Sequence, residues 1–241
     1  ILDSYSHGEV RRISPEAPIP VLKINSNKYE VLGGCGNVAR NICAAGSQCH
    51  LITVSGDDDE ALVLKKLLNE SKKLSFNLIV DKDRCTTKKT RFVSENQQIL
   101  RVDRENNSPI NSKLESRIFK LFKNRINDFD VVVISDYSKG ILTDSLLRLI
   151  IEMSNQKKKK VIVDPKKFDF LPYKDATIIT PNYNELLEAS NFNKNKNKDD
   201  ESKIVMKLSR KLIKKFNFEA IVTTRSSDGI SIVDKKNRDL H

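Results

Sequence analysis

The feature that most constrains the fold of this chain is the alternation of short apolar runs with longer amphipathic segments. Residues 131–134 form a β-branched run between Asp130 and Ser135, which is typical of a strand buried on both faces of a parallel sheet. A later segment carries apolar residues at four-residue intervals, the spacing of one helix face, at Ile204, Leu208, Leu212 and Phe216. Alternating strands and helices predict an α/β fold in which a mostly parallel sheet is flanked by helices.

The same patterns predict further elements along the chain. Strands are predicted at 51–54, 78–80, 161–163, 177–179, 220–224 and 230–233, and helices at 57–69, from 114, at 142–154 and at 183–190. The asparagine- and lysine-rich segment 191–200 is interpreted as a surface loop. We therefore expect a single domain over residues 1–241. Residues 1–3 resemble the end of a buried strand, so we expect that domain to be incomplete at its start, with Asp3 at the carboxyl end of the strand.

A polar, strand-rich excursion near the start of the chain is predicted to form part of a lid. The segment 11–20 contains three prolines, which forbid a helix and favour extended or edge conformations. Strands are predicted at 21–25 and 29–32, around a turn at Ser26-Asn27.

A second excursion completes the predicted lid. Residues 87–94 and 98–103 read as two strands joined in a hairpin. Their alternation puts Lys89 and Arg91 on one face, with Thr90 and Phe92 on the other, which fits an exposed sheet better than a core sheet. We assign the lid to residues 8–32 and 86–104.

A glycine cluster between these excursions predicts a ligand site. Gly33, Gly34 and Gly36 directly precede an amphipathic helix that ends at Gly46. Glycines let the backbone approach a ligand closely, and the start of a helix offers unpaired N–H groups and a positive dipole end. The pattern favours a small polar ligand. A purely steric tight turn into the helix is the alternative.

Polar side chains follow four successive predicted strands, where ligands bind in sheets of this class. These segments are 135–140, 164–166, 180–185 and 223–229. They bring cations next to carboxylates, namely Lys139, Lys166 and Arg225 beside Asp136, Asp164 and Glu185. That mixture suits a phosphorylated ligand with a magnesium ion held largely through water, and hence phosphoryl transfer. Taken singly, each residue is equally explained as a helix cap or a turn.

Composition excludes several other classes of protein. The net charge is +11, but the lysines are scattered or lie in polar runs without interleaved aromatics, which argues against nucleic acid as a partner. The four cysteines lack C-x-x-C spacing and the three histidines are isolated, so neither zinc nor a disulfide framework is indicated. There is no P-loop and no G-x-G-x-x-G after a strand. No stretch is long enough for a membrane helix and no signal peptide is seen, so a cytoplasmic protein is expected.

Together, these motifs resemble the ribokinase-like (PfkB) carbohydrate kinases. The glycine cluster 33–39 with Gly46 is similar to the family's sugar-binding signature, and Asn182-Tyr183-Asn184-Glu185 is similar to its N-x-x-E motif. More narrowly, five segments resemble the D-glycero-β-D-manno-heptose-7-phosphate kinase domain, which in many bacteria is the N-terminal half of a bifunctional protein with an adenylyltransferase half. Those segments are 12–21, 96–103, 135–140, 164–170 and 180–182.

The resemblance implies phosphorylation of O1 of heptose 7-phosphate by ATP and Mg²⁺, giving the 1,7-bisphosphate that leads to ADP-heptose and lipopolysaccharide. It implies substrate contacts at Asp3, Gly33, Gly34, Asn37, Lys89, Arg91, Asp136 and Lys166. It implies ATP contacts at Asn182, Glu185, Thr224, Arg225 and Gly229, with Glu185 reaching the metal through water. It also suggests a homodimer that pairs through lid strands, and no membrane partner.

One departure from the family pattern concerns the catalytic centre. The family's G-A-G-D motif, whose Asp is the general base, should follow about two dozen residues beyond Ser231, according to the resemblance. The printed chain ends at His241, so we expect a fragment without the base and assign no catalytic residue. Asp136 and Asp164 are interpreted as ligand-positioning residues. A ribokinase-like kinase of another sugar and a non-catalytic sugar-phosphate-binding truncation stay open as alternatives.

Overall fold

The computed structural model describes residues 1–192, 200–236 and 238–240. Most of the predicted loop at 191–200 therefore lies outside the described residues. The chain divides into two compact units, Ile1–Asn107 and Ser108–His241. None of the helices in the described part of the chain combines the length and the apolar character that crossing a bilayer requires.

The first unit is built mainly from strands. Its elements are β1 (Leu2–Ile13), β2 (Pro20–Leu32), α1 (Cys35–Ala44), β3 (Cys49–Ser55), α2 (Asp59–Leu68), β4 (Leu74–Val80), β5 (Lys88–Ser94) and β6 (Gln97–Arg104). Four strands form one sheet in the order β2-β1-β5-β6, and β3 pairs with β4 in parallel. Leu2, Leu32, Leu64 and Leu68 form the centre of the unit's apolar core, because the helices turn their apolar faces inward.

The second unit is an α/β arrangement. Its elements are α3 (Ser112–Arg125), β7 (Val131–Ser135), α4 (Asp144–Gln156), β8 (Lys160–Asp164), β9 (Ile178–Ile179), α5 (Tyr183–Ala189), α6 (Glu201–Phe216), β10 (Ala220–Thr224), β11 (Ile230–Asp234) and β12 (Asp239–Leu240). The sheet order is β12-β11-β10-β9-β8-β7. Strands β7 to β10 are parallel, whereas β11 and β12 join antiparallel.

Local chemistry fixes where several helices begin. The side chains of Asp58, Asn111, Thr143 and Asn182 each accept a backbone N–H from the first turn of the helix that follows. These caps satisfy N–H groups that have no partner inside the helix. The predicted α/β class, with helices beside a mostly parallel sheet, is confirmed, as are the predicted helices.

The first two strands differ from the prediction. Residues after Asp3 continue as β1 through Ile13, and Asp3 lies near the start of that strand instead of at its carboxyl end. The two strands predicted around a turn at Ser26-Asn27 are one strand, β2, which pairs with β1 at residues 20–24 and 28–32. The β1–β2 register shifts between Ser6 and Gly8, opposite the predicted turn. Cross-strand pairing therefore overrides the local turn preference, at the cost of an irregularity.

The burial predicted for residues 131–134 is only partly correct. Val131 and Val133 are 45% and 41% exposed, whereas Ile134 is buried. Val131 and Val133 are exposed because β7 is an edge strand of the six-stranded sheet in the described part of the chain.

Candidate active site

The glycine cluster lies between β2 and α1, and its geometry requires glycine. Gly34 has φ +53° and ψ −133° and precedes α1 without a side-chain cap, a conformation that residues with a Cβ rarely adopt. A Cβ on Gly33 would stand 2.8 Å from Cγ of Asp3 and closer still to its Oδ2. The Gly33 N–H donates to the carbonyl of Ile1 at 2.9 Å. The start of β1 and the glycine turn therefore bring Asp3 directly over the backbone of Gly33.

Asn37 lies in the first turn of α1 and is half-buried. Its Oδ1 accepts a hydrogen bond from Nη2 of Arg40 at 3.1 Å. The side-chain oxygen of Asn37 is thus held within its own helix. The side-chain NH₂ group of Asn37 is available to donate to a ligand oxygen.

The predicted lid cations share one face of the four-stranded sheet. In the parallel pairing of β1 with β5, Asp3 lies opposite Lys89 and Tyr5 lies opposite Arg91. Nη1 of Arg91 donates to Oδ1 of Asp3 at 2.8 Å. Nζ of Lys89 instead pairs with Asp103 on β6, with Glu105 3.7 Å away. The predicted alternation of β5 is confirmed, and each cation has a carboxylate partner.

Sequence patterns missed the aromatic members of this face. The Tyr5 and Tyr29 rings stack with centroids 4.8 Å apart, and the Arg91 guanidinium lies 5.1 Å from the Tyr5 ring centroid. The hydrogen bond to Asp3 raises the pKa of Arg91, and the hydrogen bond from Lys89 lowers the pKa of Asp103. The period-two pattern of β1 could have revealed Tyr5, had that segment been read as a strand.

In the second unit, Asp136 follows β7 and has an internal role. It is 4% exposed, its Oδ2 accepts from the Tyr173 hydroxyl at 2.7 Å, and its Oδ1 accepts from the Ser138 N–H at 2.7 Å. Its own N–H donates to the Asp164 carbonyl at 3.0 Å. Burial and the Asp136 charge raise the pKa of the buried Tyr173 hydroxyl, so it remains a donor. Asp136 thus joins the loops that follow β7 and β8.

The loop after β8 carries a coupled group of charges. Nζ of Lys166 lies 3.0 Å from Oε1 of Glu185, and this contact raises the pKa of Lys166. Burial raises the pKa of Asp164, and the negative charge of Glu185 raises it further. An exposed lysine therefore stands beside two carboxylates that repel each other, an arrangement that favours an added positive charge.

The predicted N-x-x-E motif forms a capping box at the start of α5. Oδ1 of Asn182 accepts from the Glu185 N–H at 2.9 Å, and Oε2 of Glu185 accepts from the Asn182 N–H at 2.9 Å. The structural interpretation of this motif as a cap is therefore correct. A ligand role is compatible with it, because each carboxylate oxygen keeps a further lone pair.

The residues after β10 lie beside this cap. Thr224 is exposed, and its N–H donates to the Pro181 carbonyl at 3.1 Å, forming an isolated parallel bridge between Asn182 and Thr224. The Arg225 guanidinium donates to Ser202 at 2.9 Å and to the Asp228 carbonyl at 3.1 Å. Gly229 has φ +85°, so it serves the turn that returns the chain into β11.

A metal ion held through water is compatible with these donors. Within residues 1–192, 200–236 and 238–240, no group of three or more His, Cys, Asp or Glu side chains could hold a metal ion. Magnesium usually keeps several waters and binds through one or two carboxylates together with substrate phosphates. Asp164 and Glu185 supply two neighbouring carboxylates, so the donor set fits an ion that arrives with phosphate.

The sequence-predicted residues thus form two groups, one in each unit. Asp3, Gly33, Gly34, Asn37, Lys89 and Arg91 belong to the first unit, and Asp3 contacts both the glycine turn and Arg91. Asp136, Lys166, Asn182, Glu185, Thr224, Arg225 and Gly229 belong to the second, at the carboxyl ends of β7 to β10. Such strand ends are where ligands bind in parallel sheets.

Known proteins share this fold. The chain is similar to phosphofructokinase-2 from Escherichia coli in complex with fructose-6-phosphate, with a TM-score of 0.75 and 19% identity over 100% of this chain and 75% of that one. It is similar to ribokinase from Giardia lamblia, with a TM-score of 0.74 and 17% identity over 99% of this chain and 76% of that one.

Curated sequences match more closely in identity. A protein of Paramagnetospirillum magneticum named Bifunctional protein HldE is 39% identical over 97% of this chain and 46% of its own length. Its namesake from Caulobacter vibrioides is 43% identical over 79% of this chain and 38% of its own length. The chain spans about half the length, or less, of these curated relatives. The family model described as pfkB family carbohydrate kinase matches residues 8–241, and the chain belongs to this family.

Proposed function

We propose that this chain is the sugar-binding and part of the nucleotide-binding portion of a kinase that transfers phosphate from ATP to O1 of D-glycero-β-D-manno-heptose 7-phosphate. The product is the 1,7-bisphosphate, a precursor of ADP-heptose and lipopolysaccharide, made in the cytoplasm. The observation that carries this proposal is the 39% identity to a HldE protein across 97% of the chain. Identity to the phosphofructokinase-2 complex is only 19%.

At the sugar end, Asp3 and Asn37 provide acceptor and donor groups for hydroxyls, and Gly33 and Gly34 let the ring approach the backbone. The contact between Asp3 and Gly33 supports this assignment, because only a residue without a Cβ lets the Asp3 carboxylate lie over the backbone at this position. Lys89 of the first unit and Lys166 of the second unit are the candidates for contacts to phosphate, and each is held by a carboxylate, namely Asp103 and Glu185. Arg91 is held by Asp3.

At the nucleotide end, Asn182 and Glu185 hold the start of α5 beside Thr224, and Arg225 and Gly229 shape the following turn. We assign the phosphates of ATP to this edge. Glu185 would hold a magnesium ion through water, and the ion would neutralise phosphate charge when bound. Asp136 acts indirectly, by fixing the loops that follow β7 and β8.

The general base forms a separate part of the proposal. The 241 residues contain no G-A-G-D sequence, so we propose that they bind sugar phosphate without appreciable turnover. A form of the protein that carries this motif is then the active kinase. Robust turnover by the printed 241 residues alone would contradict this part.

We also propose that two copies pair through the lid strands. The sheet face opposite Arg91 carries Ile24, Leu100 and Val102, which are 55%, 54% and 48% exposed. Exposed apolar side chains on a sheet with open edges favour association. Sedimentation velocity should show a dimer for the wild type and a monomer for Leu100→Glu. A wild-type monomer at micromolar concentration would contradict the pairing.

A kinase of another sugar is the second candidate, favoured by the TM-score of 0.75 to the complex with fructose-6-phosphate. Calorimetric titration of the chain with heptose 7-phosphate, fructose 6-phosphate, fructose and ribose separates the two. We expect heptose 7-phosphate to bind at least tenfold more tightly than any of the others. Tighter binding of fructose 6-phosphate or ribose would overturn the heptose assignment and leave the family unchanged.

A further inference from the structure

The two oxygens of the Asp3 carboxylate have different surroundings. Oδ1 accepts the hydrogen bond from Nη1 of Arg91 at 2.8 Å. Oδ2 lies over Gly33 and accepts no hydrogen bond from the described residues. A carboxylate oxygen that no protein group donates to is available to accept a hydrogen bond from a ligand. Oδ1 of Asp3 therefore binds the protein, and Oδ2 is the oxygen that remains for a ligand.

Arg91 is itself fixed before any ligand arrives. Its side chain is 19% exposed, like that of Asp3. The guanidinium lies over the Tyr5 ring, and that ring is stacked on Tyr29 from β2. Because a planar guanidinium both stacks and donates along its edge, the aromatic pair sets the direction of the Arg91 hydrogen bond. Tyr29, Tyr5 and Arg91 thus form a series of contacts across three neighbouring strands, and Arg91 at its end donates to Oδ1 of Asp3.

We propose that Arg91 is a positioning residue for Asp3 and is not the ligand of the substrate phosphate. This inference rests on the proposed function, since it takes Asp3 as the acceptor of a sugar hydroxyl. By holding Oδ1, Arg91 directs Oδ2 over Gly33.

The charges around Arg91 favour this assignment over a phosphate contact. Three cations on or beside this face, Lys89, Arg91 and Arg101, are matched by carboxylates of Asp3, Asp103 and Glu105. A phosphate that approached Arg91 would meet the Asp3 carboxylate on the same guanidinium. Like charges at such short range repel, whereas a neutral sugar hydroxyl donates to Oδ2 without that cost.

The test compares two sugars that differ only in the phosphate, by calorimetric titration of the chain with heptose 7-phosphate and with the unphosphorylated heptose. Because a hydrogen bond to a charged group is involved, we expect Arg91→Gln to weaken both by the same factor, about tenfold to a hundredfold. Arg91→Lys keeps the charge but not the stacked fork, and should weaken both equally but less. Arg11→Gln, which removes an exposed arginine paired with Glu9 at the far end of β1, is the matched control and should change neither affinity.

A double-mutant cycle identifies the route of the effect. If Arg91 acts through Asp3, the variant Asp3→Asn/Arg91→Gln should bind no more weakly than Asp3→Asn alone. Additive losses would overturn the inference, as would a loss in Arg91→Gln confined to heptose 7-phosphate. Failure of the wild-type chain to bind either sugar would overturn the proposed function together with this inference.

Discussion

The carboxylate of Asp3 fills the space above Gly33 that any larger residue would need, since a Cβ there would stand 2.8 Å from Cγ of Asp3. We predict that Gly33→Ala displaces Asp3 and abolishes detectable sugar binding. Overpacking at this position should also lower the free energy of unfolding by about 1–3 kcal/mol. Urea unfolding and calorimetric titration measure the two effects.

Gly46→Ala is the matched control for that substitution. A Cβ at Gly46 meets nothing within 4 Å, but its φ of +101° is unfavourable for alanine. The control should lose about 1 kcal/mol of stability through backbone strain and keep its sugar affinity. If Gly46→Ala lost sugar binding to the same degree, the effect of Gly33→Ala would reflect general instability and not the displaced carboxylate.

A second prediction separates capping from ligand binding at Asn182. Asn182→Ala and Asn111→Ala each remove a side-chain cap with a donor–acceptor distance of 2.9 Å, so each should cost about 1 kcal/mol of stability. Only Asn182→Ala should also lower ATP affinity, measured by calorimetry in a form of the protein that carries the G-A-G-D motif. Equal ATP affinity in the two variants would mean that the N-x-x-E motif is a cap and nothing more.

A third prediction concerns the pH dependence introduced by Asp164. Burial and the charge of Glu185 raise its pKa above the ordinary 3.8, so the folded chain binds this proton more tightly than the unfolded chain. The stability contributed by this group therefore falls as the pH rises from 3.8 through the raised pKa. Asp164→Asn should be more stable than the wild type at pH 7, and the difference should shrink on acidification.

The pKa of Asp103 is shifted in the opposite direction to that of Asp164, so its effect on stability has the opposite pH dependence. The hydrogen bond from Lys89 lowers its pKa, so its contribution to stability is present above 3.8 and is lost as the pH falls through the lowered pKa. Asp103→Asn should therefore destabilise the chain at pH 7, by an amount that disappears in acid. Urea midpoints measured from about pH 2 to about pH 7 cover both titration windows and test both signs, and identical pH profiles for the two variants would refute the assignment.

A fourth prediction concerns the hydroxyl that holds Asp136. Tyr173→Phe removes the donor to a buried carboxylate oxygen, which should cost about 1.5–3 kcal/mol in the free energy of unfolding, because the charged acceptor stays buried. Tyr29→Phe, at a 49% exposed ring, should change it by less than about 0.5 kcal/mol. Similar losses in the two variants would argue against the Asp136 contact as the cause.

Many of the elements that sequence patterns predicted owe their stability to apolar burial. The helices α2, α4 and α6 and the strands β8 and β10 carry the expected periodicity, and burial dominates their energetics. Strand β1 was missed because its inward residues include the buried Ser4 and Ser6. A strand that buries small polar side chains has no hydrophobic alternation to detect, so its length depended on pairing with β2 and β5.

The candidate site was predictable residue by residue but not as a set of contacts. Glycine chemistry indicated Gly33 and Gly34, and strand ends indicated Lys166 and Glu185. The contact between Asp3 and Arg91 joins positions 88 residues apart, and it depends on the parallel register of β1 and β5, which no local pattern encodes. Tyr173 was missed for a similar reason, since a buried tyrosine looks like core until its hydroxyl partner is known.

The most direct test of the proposed function is a kinase assay on a form of the protein that carries the G-A-G-D motif. ATP should be supplied with heptose 7-phosphate or fructose 6-phosphate in parallel, and the products analysed by phosphorus NMR. We predict turnover of heptose 7-phosphate, with a new phosphate signal coupled to the anomeric proton. Preferential turnover of fructose 6-phosphate, or phosphorylation of the heptose at a position other than O1, would contradict the account.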